Sequence, residues 1–315
     1  MAVATSTPIE PTPFRRVFEV TIFPLAMVGS MWACLALIDR GMAAAVAAPL
    51  CQVTTILLVA ILERFVPHHA SWLHGEGDMR VDASHALTTY VMAGGLQPVI
   101  LGTGIAIAGW LSANYGLDLW PHGWPIVAQI LFSVLVAEAF HYWVHRWQHT
   151  TDLLWRTHAV HHAVTRLYWL NANRFHFLDT ALLAITGFIP MIALGAPVEM
   201  IALWTLFSGV HGVFQHANLP LRLGPLNWFF SMAELHRWHH SPRVEEANHN
   251  YGQNIILYDI LFGTRYLPKD REPPEHLGVE ELPAFPMTWW KQVLSPFQWG
   301  RIKRESAEAL NTRSQ

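Results

Sequence analysis

The chain has 315 residues, 52% of them hydrophobic, and its 20 Lys and Arg and 23 Asp and Glu make only 14% charged, where a soluble globular chain carries roughly 25%. That deficit, with a mean hydropathy of +0.24, points to a protein lying partly in lipid and partly in water. Nineteen histidines against two cysteines exclude a disulfide-stapled secreted domain and any metal site built mainly from thiolates, and a net charge of −3 without a basic block leaves no nucleic-acid footprint.

Met1–Pro13 is polar and Pro-rich and lacks the charged start and short apolar core of a cleavable signal. The first apolar segment is therefore expected to stay as an anchor. Val20–Ile38 and Met42–Leu62 are uncharged runs near the roughly 20 residues a helix needs to cross the hydrocarbon core. Val91–Leu111 is a third. Trp124–Ala137 becomes a fourth only if its helix continues through Glu138 toward His145. Thr180–Val210 is apolar apart from Glu199, and Gly195-Ala196-Pro197 divides it into two shorter segments of a hairpin. The fold expected is all-α and polytopic, with four to six membrane-embedded helices. Cys34 and Cys51 read as small buried hydrophobes. Glu272–Gln315 is a polar tail whose amphipathic stretch Met287–Ile302 carries Trp289, Trp290, Phe297 and Trp299 beside Lys291, Arg301 and Lys303, so it is expected to rest on the membrane surface.

If the apolar segments alternate in direction, Asp39–Gly41, Ser112–Gly123 and Gly195–Pro197 share one side. Only Arg40 of the 20 Lys and Arg lies there. The positive-inside bias then puts the other side in the cytoplasm, across a bacterial inner membrane or the endoplasmic reticulum.

Thirteen of the 19 histidines fall between residues 141 and 249, on the predicted cytoplasmic side. His141, His145 and His149 recur every four residues, so they line one helix face. His158-Ala-Val-His161-His162 and His236-Arg-Trp-His239-His240 repeat the pattern HxxHH. His211 and His216 form a looser pair at the end of the hairpin. A neutral imidazole offers one lone pair to iron, zinc or copper, and eight well-placed rings exceed what one ion needs, so two metals are the simpler reading. The chain has no HExxH, P-loop or glycine-rich dinucleotide fingerprint. A histidine-rich membrane metal carrier or a haem protein is the alternative. His68, His69, His74, His85, His122 and His276 lie in loops or flanks and are expected to be solvated.

His145-Arg-Trp-Gln-His149, Leu154-Trp-Arg-Thr-His158-Ala-Val-His161-His162 and His236-Arg-Trp-His239-His240, with Glu138, Tyr142-Trp143, Asn171, Arg174, Asn250-Tyr251-Gly252, Asp259 and Phe262-Gly263-Thr264 around them, resemble the fatty acid hydroxylase / sterol desaturase superfamily of membrane di-iron oxygenases. The resemblance covers roughly residues 126–266. It implies two iron ions held in a cytosolic helical cap by His145, His149, His158, His161, His162, His236, His239 and His240, with His211 and His216 matching a further pair whose usual spacing is one residue shorter. His176 and His249 are additional candidate ligands. Glu138, His141 and Asn171 are candidates to orient ligand rings by hydrogen bonding.

The implied activity is O2-dependent hydroxylation or desaturation at an unactivated C–H bond of a lipid drawn from the bilayer. No haem, flavin or iron–sulfur signature is present, so electrons are expected from a separate ferredoxin, cytochrome b5 or reductase. The expected division is an N-terminal membrane region over residues 1–125, a catalytic domain over 126–266 and a C-terminal tail over 267–315.

Overall fold

The computed structural model describes residues 12–75, 77–116 and 118–313; most of the polar lead-in Met1–Pro13 lies outside them. The described residues form α1 (Pro13–Asp39), α2 (Ala44–Phe65), α3 (Asp78–Tyr115), α4 (Ile126–Thr150), α5 (Asp152–His162), α6 (Phe177–Ala193), α7 (Val198–His216), α8 (Ala233–His239), α9 (Val244–Ala247), α10 (Leu257–Leu261), α11 (Trp289–Leu294) and α12 (Trp299–Arg313). A single isolated bridge, Phe230 with Ile255, is the β pairing among them. The protein is an all-α integral membrane protein.

Helices α1 to α4 are long and apolar enough to span a bilayer, while α6 is apolar but shorter. Together with α7, they bear out the expectation of four to six embedded helices. The hairpin of α6 and α7 turns at Gly195, whose φ of +88° is open to glycine without strain. Helix α7 packs against α2, α1 and α4, and α6 packs against α3 and α4, so the hairpin is the centre of the bundle. Its residues Leu203, Leu206, Val210 and Phe214 are fully buried. The outer faces of the spans expose Leu25, Val28, Trp32, Leu57, Ile107 and Trp110, a surface that lipid solvates and water would not.

Helix α3 starts at Asp78, well before the apolar run at Val91, and its 38 residues extend about 57 Å at 1.5 Å per residue. Its polar first turns are held by the cap. Asp78 pairs with Arg166 at 2.7 Å, Asp82 pairs with Arg174 at 2.6 Å and accepts from Tyr168 Oη at 2.7 Å. His85 is buried, against the expectation that it is solvated, because Phe175 O and Gln292 Oε1 take its two ring nitrogens at 3.1 and 2.9 Å. Helix α4 does run on through Glu138 to Thr150.

The tail is more than a surface rider. Trp299 and Ile302 are buried with Phe285 and Leu282 against Ala159 and Val160 of α5 and Ala163 just after it, and Trp299 Nε1 donates to Asp152 Oδ1 at 2.8 Å. Trp290 and Phe297 remain exposed. The tail therefore braces the back of the helix that carries the first HxxHH.

Candidate metal centre

Nine histidines from four helices converge in two groups. His145, His149, His158, His162 and His239 form one, and His161, His216, His236 and His240 form the other, with ligand atoms inside each group within 4.8 Å of one another. Helix α4 supplies two rings one turn apart, and α5 supplies three. His216 comes from the end of α7, and the rest from α8 and its C-cap. The adjacent residues in each HxxHH diverge by about 100° around the helix, which sends His161 and His162 to different groups. His162 and His240 stack at 4.4 Å between ring centroids and join the two.

The hydrogen bonds fix which nitrogen faces inward. His145 Nδ1 lies 2.7 Å from Tyr251 O, His161 Nδ1 3.2 Å from Arg174 O, His216 Nδ1 3.1 Å from Gly212 O and His239 Nδ1 2.8 Å from His249 O. His158 Nδ1 lies 2.9 Å from Asp179 Oδ2. Carbonyl and carboxylate oxygens only accept, so each Nδ1 carries the proton and each Nε2 presents a lone pair. Yet His145 Nε2 and His158 Nε2 stand 3.0 Å apart, and His161 Nε2 and His216 Nε2 stand 3.3 Å apart. Two lone pairs at that distance repel unless a cation lies between them. Ligand nitrogens about 2.1 Å from one ion fall about 3 Å apart, so the arrangement fits a metal in each group.

His149, His162, His236, His239 and His240 each also hold a buried ring nitrogen without a hydrogen-bond partner, where an apolar burial would leave a cost of about 1–3 kcal/mol apiece. Burial holds His161, His162, His236 and His240 well below the usual histidine range and His239 down to about 3, with neighbouring imidazoles acting in the same direction. The rings stay neutral and able to bind metal.

Supporting contacts reach the rings more often through backbone than through side chains. The loop Asn250-Tyr251-Gly252 brings Tyr251 O onto His145, with Asn250 in the left-handed region at φ 56°. Asp259 accepts from Tyr251 N and Gly252 N at 2.8 and 2.7 Å, and Glu138 accepts from Gln253 N and Asn254 N. Glu138 thus acts on His145 through the loop and not by touching a ring. Burial pushes Asp259 up to about 6.

The remaining candidates fall outside the two groups. His211 lies five residues before His216, a turn of about 140° around α7, and its ring is surrounded by Phe23, Phe207 and Phe230. His176 caps α6, accepting from Leu178 N at 3.2 Å and reaching Val293 O at 3.1 Å with its other nitrogen. His249 contributes its carbonyl to His239 and lays its ring on Tyr266. Asn171 folds the turn after α5 by bonding Arg166 O and Tyr168 N. His141 Nε2 meets Leu183 O at 3.1 Å and its Nδ1 has no partner.

Two residues of the site escaped the motifs. Asp179 holds His158 and also accepts from Gln148 Nε2, and Asn248 Oδ1 lies 3.2 Å from His149 Nδ1. The signal available for Asp179 was a lone acid in the first turn of an otherwise apolar helix. Asp179→Ala is expected to lower metal affinity about 10- to 100-fold by freeing the His158 ring; chelator competition on purified protein measures it, and unchanged retention would dismiss the role.

A cavity of about 260 Å³ reaches His145, His158, His161, His216 and His236, so rings of both groups face it. A second, about 250 Å³, reaches His149 and His162 beside Trp155.

The fatty acid hydroxylase family model matches residues 130–264. The chain is 36% identical over 220 residues to the ornithine lipid hydroxylase OlsE of Rhizobium tropici, covering 68% of this chain and 66% of that one. It is 28% identical over 170 residues to methylsterol monooxygenase 1 of Danio rerio, covering 53% and 56%, and 27% identical over 176 residues to alkylglycerol monooxygenase of Xenopus tropicalis, covering 55% and 39%. The chain thus spans less than two thirds of the length of each of these relatives. No solved structure matches it.

Proposed function

From the premise that this chain belongs to the fatty acid hydroxylase family, we propose that it is a membrane-bound non-haem di-iron oxygenase that hydroxylates or desaturates a lipid C–H bond with O2. The carrying observation is the pair of histidine groups whose lone pairs face each other at the end of a cavity among the apolar helices. The relatives' names concern oxidation of ornithine lipids, methylsterols and alkylglycerols, three lipid classes sharing one reaction type. On this reading residues 126–266 are the catalytic domain, 1–125 the membrane region and 267–315 the tail.

His145, His149, His158, His162 and His239 would hold one iron and His161, His216, His236 and His240 the other. Bound iron supplies the O2-dependent oxidation of an unactivated C–H bond. The protein's own share is geometric. Tyr251 O, Arg174 O, Gly212 O, His249 O and Asp179 fix the tautomers and aim the Nε2 atoms inward. The bundle admits an apolar chain from the bilayer side and keeps bulk water from the centre.

With 19 of the 20 cations on the histidine side, that side would face the cytoplasm. A separate ferredoxin, cytochrome b5 or reductase would deliver electrons, and the cavity at His149, His162 and Trp155 gives it an approach: the indole lies 5.1 and 5.4 Å from those two rings.

Metal analysis of purified protein is expected to give about two irons per chain with no haem absorption. One zinc per chain, or a haem spectrum, would overturn the proposal.

A further inference from the structure

We propose that residues 255–262, around the short helix α10, sit inside the hydrocarbon layer and that lipid acyl chains are the partner of their exposed apolar face. Leu257, Ile260, Leu261 and Phe262 are exposed there, Leu261 by 64%, a patch that water would not favour. The segment is far too short to be found as a span, and α4 gives its depth.

Helix α4 starts at Ile126, just after Trp124 and the Asp118–His122 pair on the far side. Its first Lys or Arg is Arg146, about 30 Å of rise later, which is the thickness of the hydrocarbon core. Leu135 lies about 14 Å and Glu138 about 18 Å along it. Tilting the helix shortens these projections and keeps both residues inside. Two contacts hang the segment at this level. Tyr258 Oη donates to Leu135 O at 3.0 Å, and the Glu138 carboxylate accepts from Asn254 N at 2.9 Å and from Gln253 N. One side chain and one hydrogen bond span less than the roughly 16 Å of rise from Leu135 to Arg146, so α10 stays below the boundary. At its upper end Phe262 meets Trp143, 4.8 Å between ring centroids, still short of Arg146.

The chemistry of the segment suits lipid. Hydrocarbon tolerates irregular backbone only where its polar groups are paired. Ile256 N donates to Phe229 O, Asn254 O accepts from Ser231 N, Ile260 N and Phe262 N donate to Ile256 O and Tyr258 O, and Asp259 O takes Thr264 N and Arg265 N. Asp259, the sole Asp, Glu, Lys or Arg in residues 255–262, is fully buried and accepts from Tyr251 N, Gly252 N and Thr264 Oγ1. Outward, the face continues the exposed Leu131 and Leu135 of the spanning helix α4, and that continuity selects acyl chains over a protein partner. Inward, the chain leads back through Gln253 and Gly252, which line the cavity, to Tyr251, whose carbonyl holds His145. Acyl chains therefore pack against the back of the loop that aims a candidate metal ligand.

The wild-type full chain in phosphatidylcholine nanodiscs, with a diazirine halfway along one acyl chain of the lipid, tests this by mapping of the photoadducts. Residues 255–262 should label within about threefold of residues 127–135 of α4 and about tenfold above residues 305–313, which are polar and exposed. Labelling of 255–262 no higher than that of 305–313 overturns the proposal, whether water, a second copy or another protein covers the face. A nitroxide on Leu261→Cys, with Cys34→Ala and Cys51→Ala, gives an independent reading: collisions with O2, which concentrates in hydrocarbon, should exceed those with a water-soluble nickel chelate. An excess of nickel collisions, or shielding from both reagents, overturns the proposal, and the wild-type labelling decides it if the variant fails to fold.

Discussion

Replacing His239 or His161 by alanine is expected to abolish lipid oxidation and to lower bound metal, one substitution acting on each histidine group. Losing a hydrogen-bonded partner of a ligand typically costs 10- to 100-fold in metal affinity or activity, so losing a ligand should cost more than about 100-fold. Both rings are buried in a polar cluster, not in the apolar core, so truncation opens no cavity lined by leucine or phenylalanine and expression should be close to that of the wild type. Each variant also leaves the other group intact, so metal content should fall by about half instead of vanishing, provided the groups load independently. His211→Phe is the contrast. Its ring already sits among Phe23, Phe207 and Phe230, and exchange for another aromatic should leave metal content and product formation nearly unchanged. Metal analysis with lipid mass spectrometry for +16 or −2 shifts reads all three variants. Retained oxidation in His239→Ala or His161→Ala would refute the ligand assignment.

Asp82→Ala should be the most destabilising single change in the cap. Asp82 and Arg174 are each about 1% exposed and their ion pair is 2.6 Å long. Arg174 also donates to Val160 O at 3.1 Å and Ala163 O at 3.4 Å, fastening the C-terminal end of α5, where His161 and His162 sit. Removing the carboxylate leaves a guanidinium buried with only carbonyls for partners and strands the Tyr168 hydroxyl. Breaking a buried pair in this way costs about 3–5 kcal/mol, whereas replacing both members by apolar residues of similar volume is often near neutral. Asp82→Leu with Arg174→Met should therefore be more stable than Asp82→Ala alone. Denaturant or thermal melting in detergent measures the difference. A single variant as stable as the wild type would show that the pair does not hold α5.

The sequence by itself determined the chemistry and the membrane character. Runs without charge set the positions of α1, α2 and the core of α3, because transfer to lipid depends on composition more than on neighbours. Helical periodicity alone placed His145 and His149 on one face of α4, and the repeated HxxHH marked α5 and α8 as carriers of rings. These are local properties, legible from spacing. Tertiary structure decided what spacing cannot: that His161 and His162, adjacent in the chain, serve different groups, that His216 joins one of them while His211 faces phenylalanines, and that His176 spends both nitrogens on backbone. It also decided that the polar start of α3 is helical, since Asp78, Asp82 and His85 find partners 88 to 207 residues away. Asp179 and the carbonyls of Tyr251, Arg174 and His249 become supports for ligand rings only when distant loops close over the centre. A ring nitrogen is a metal ligand or a hydrogen-bonding group according to what faces it, and facing is a property of the folded chain.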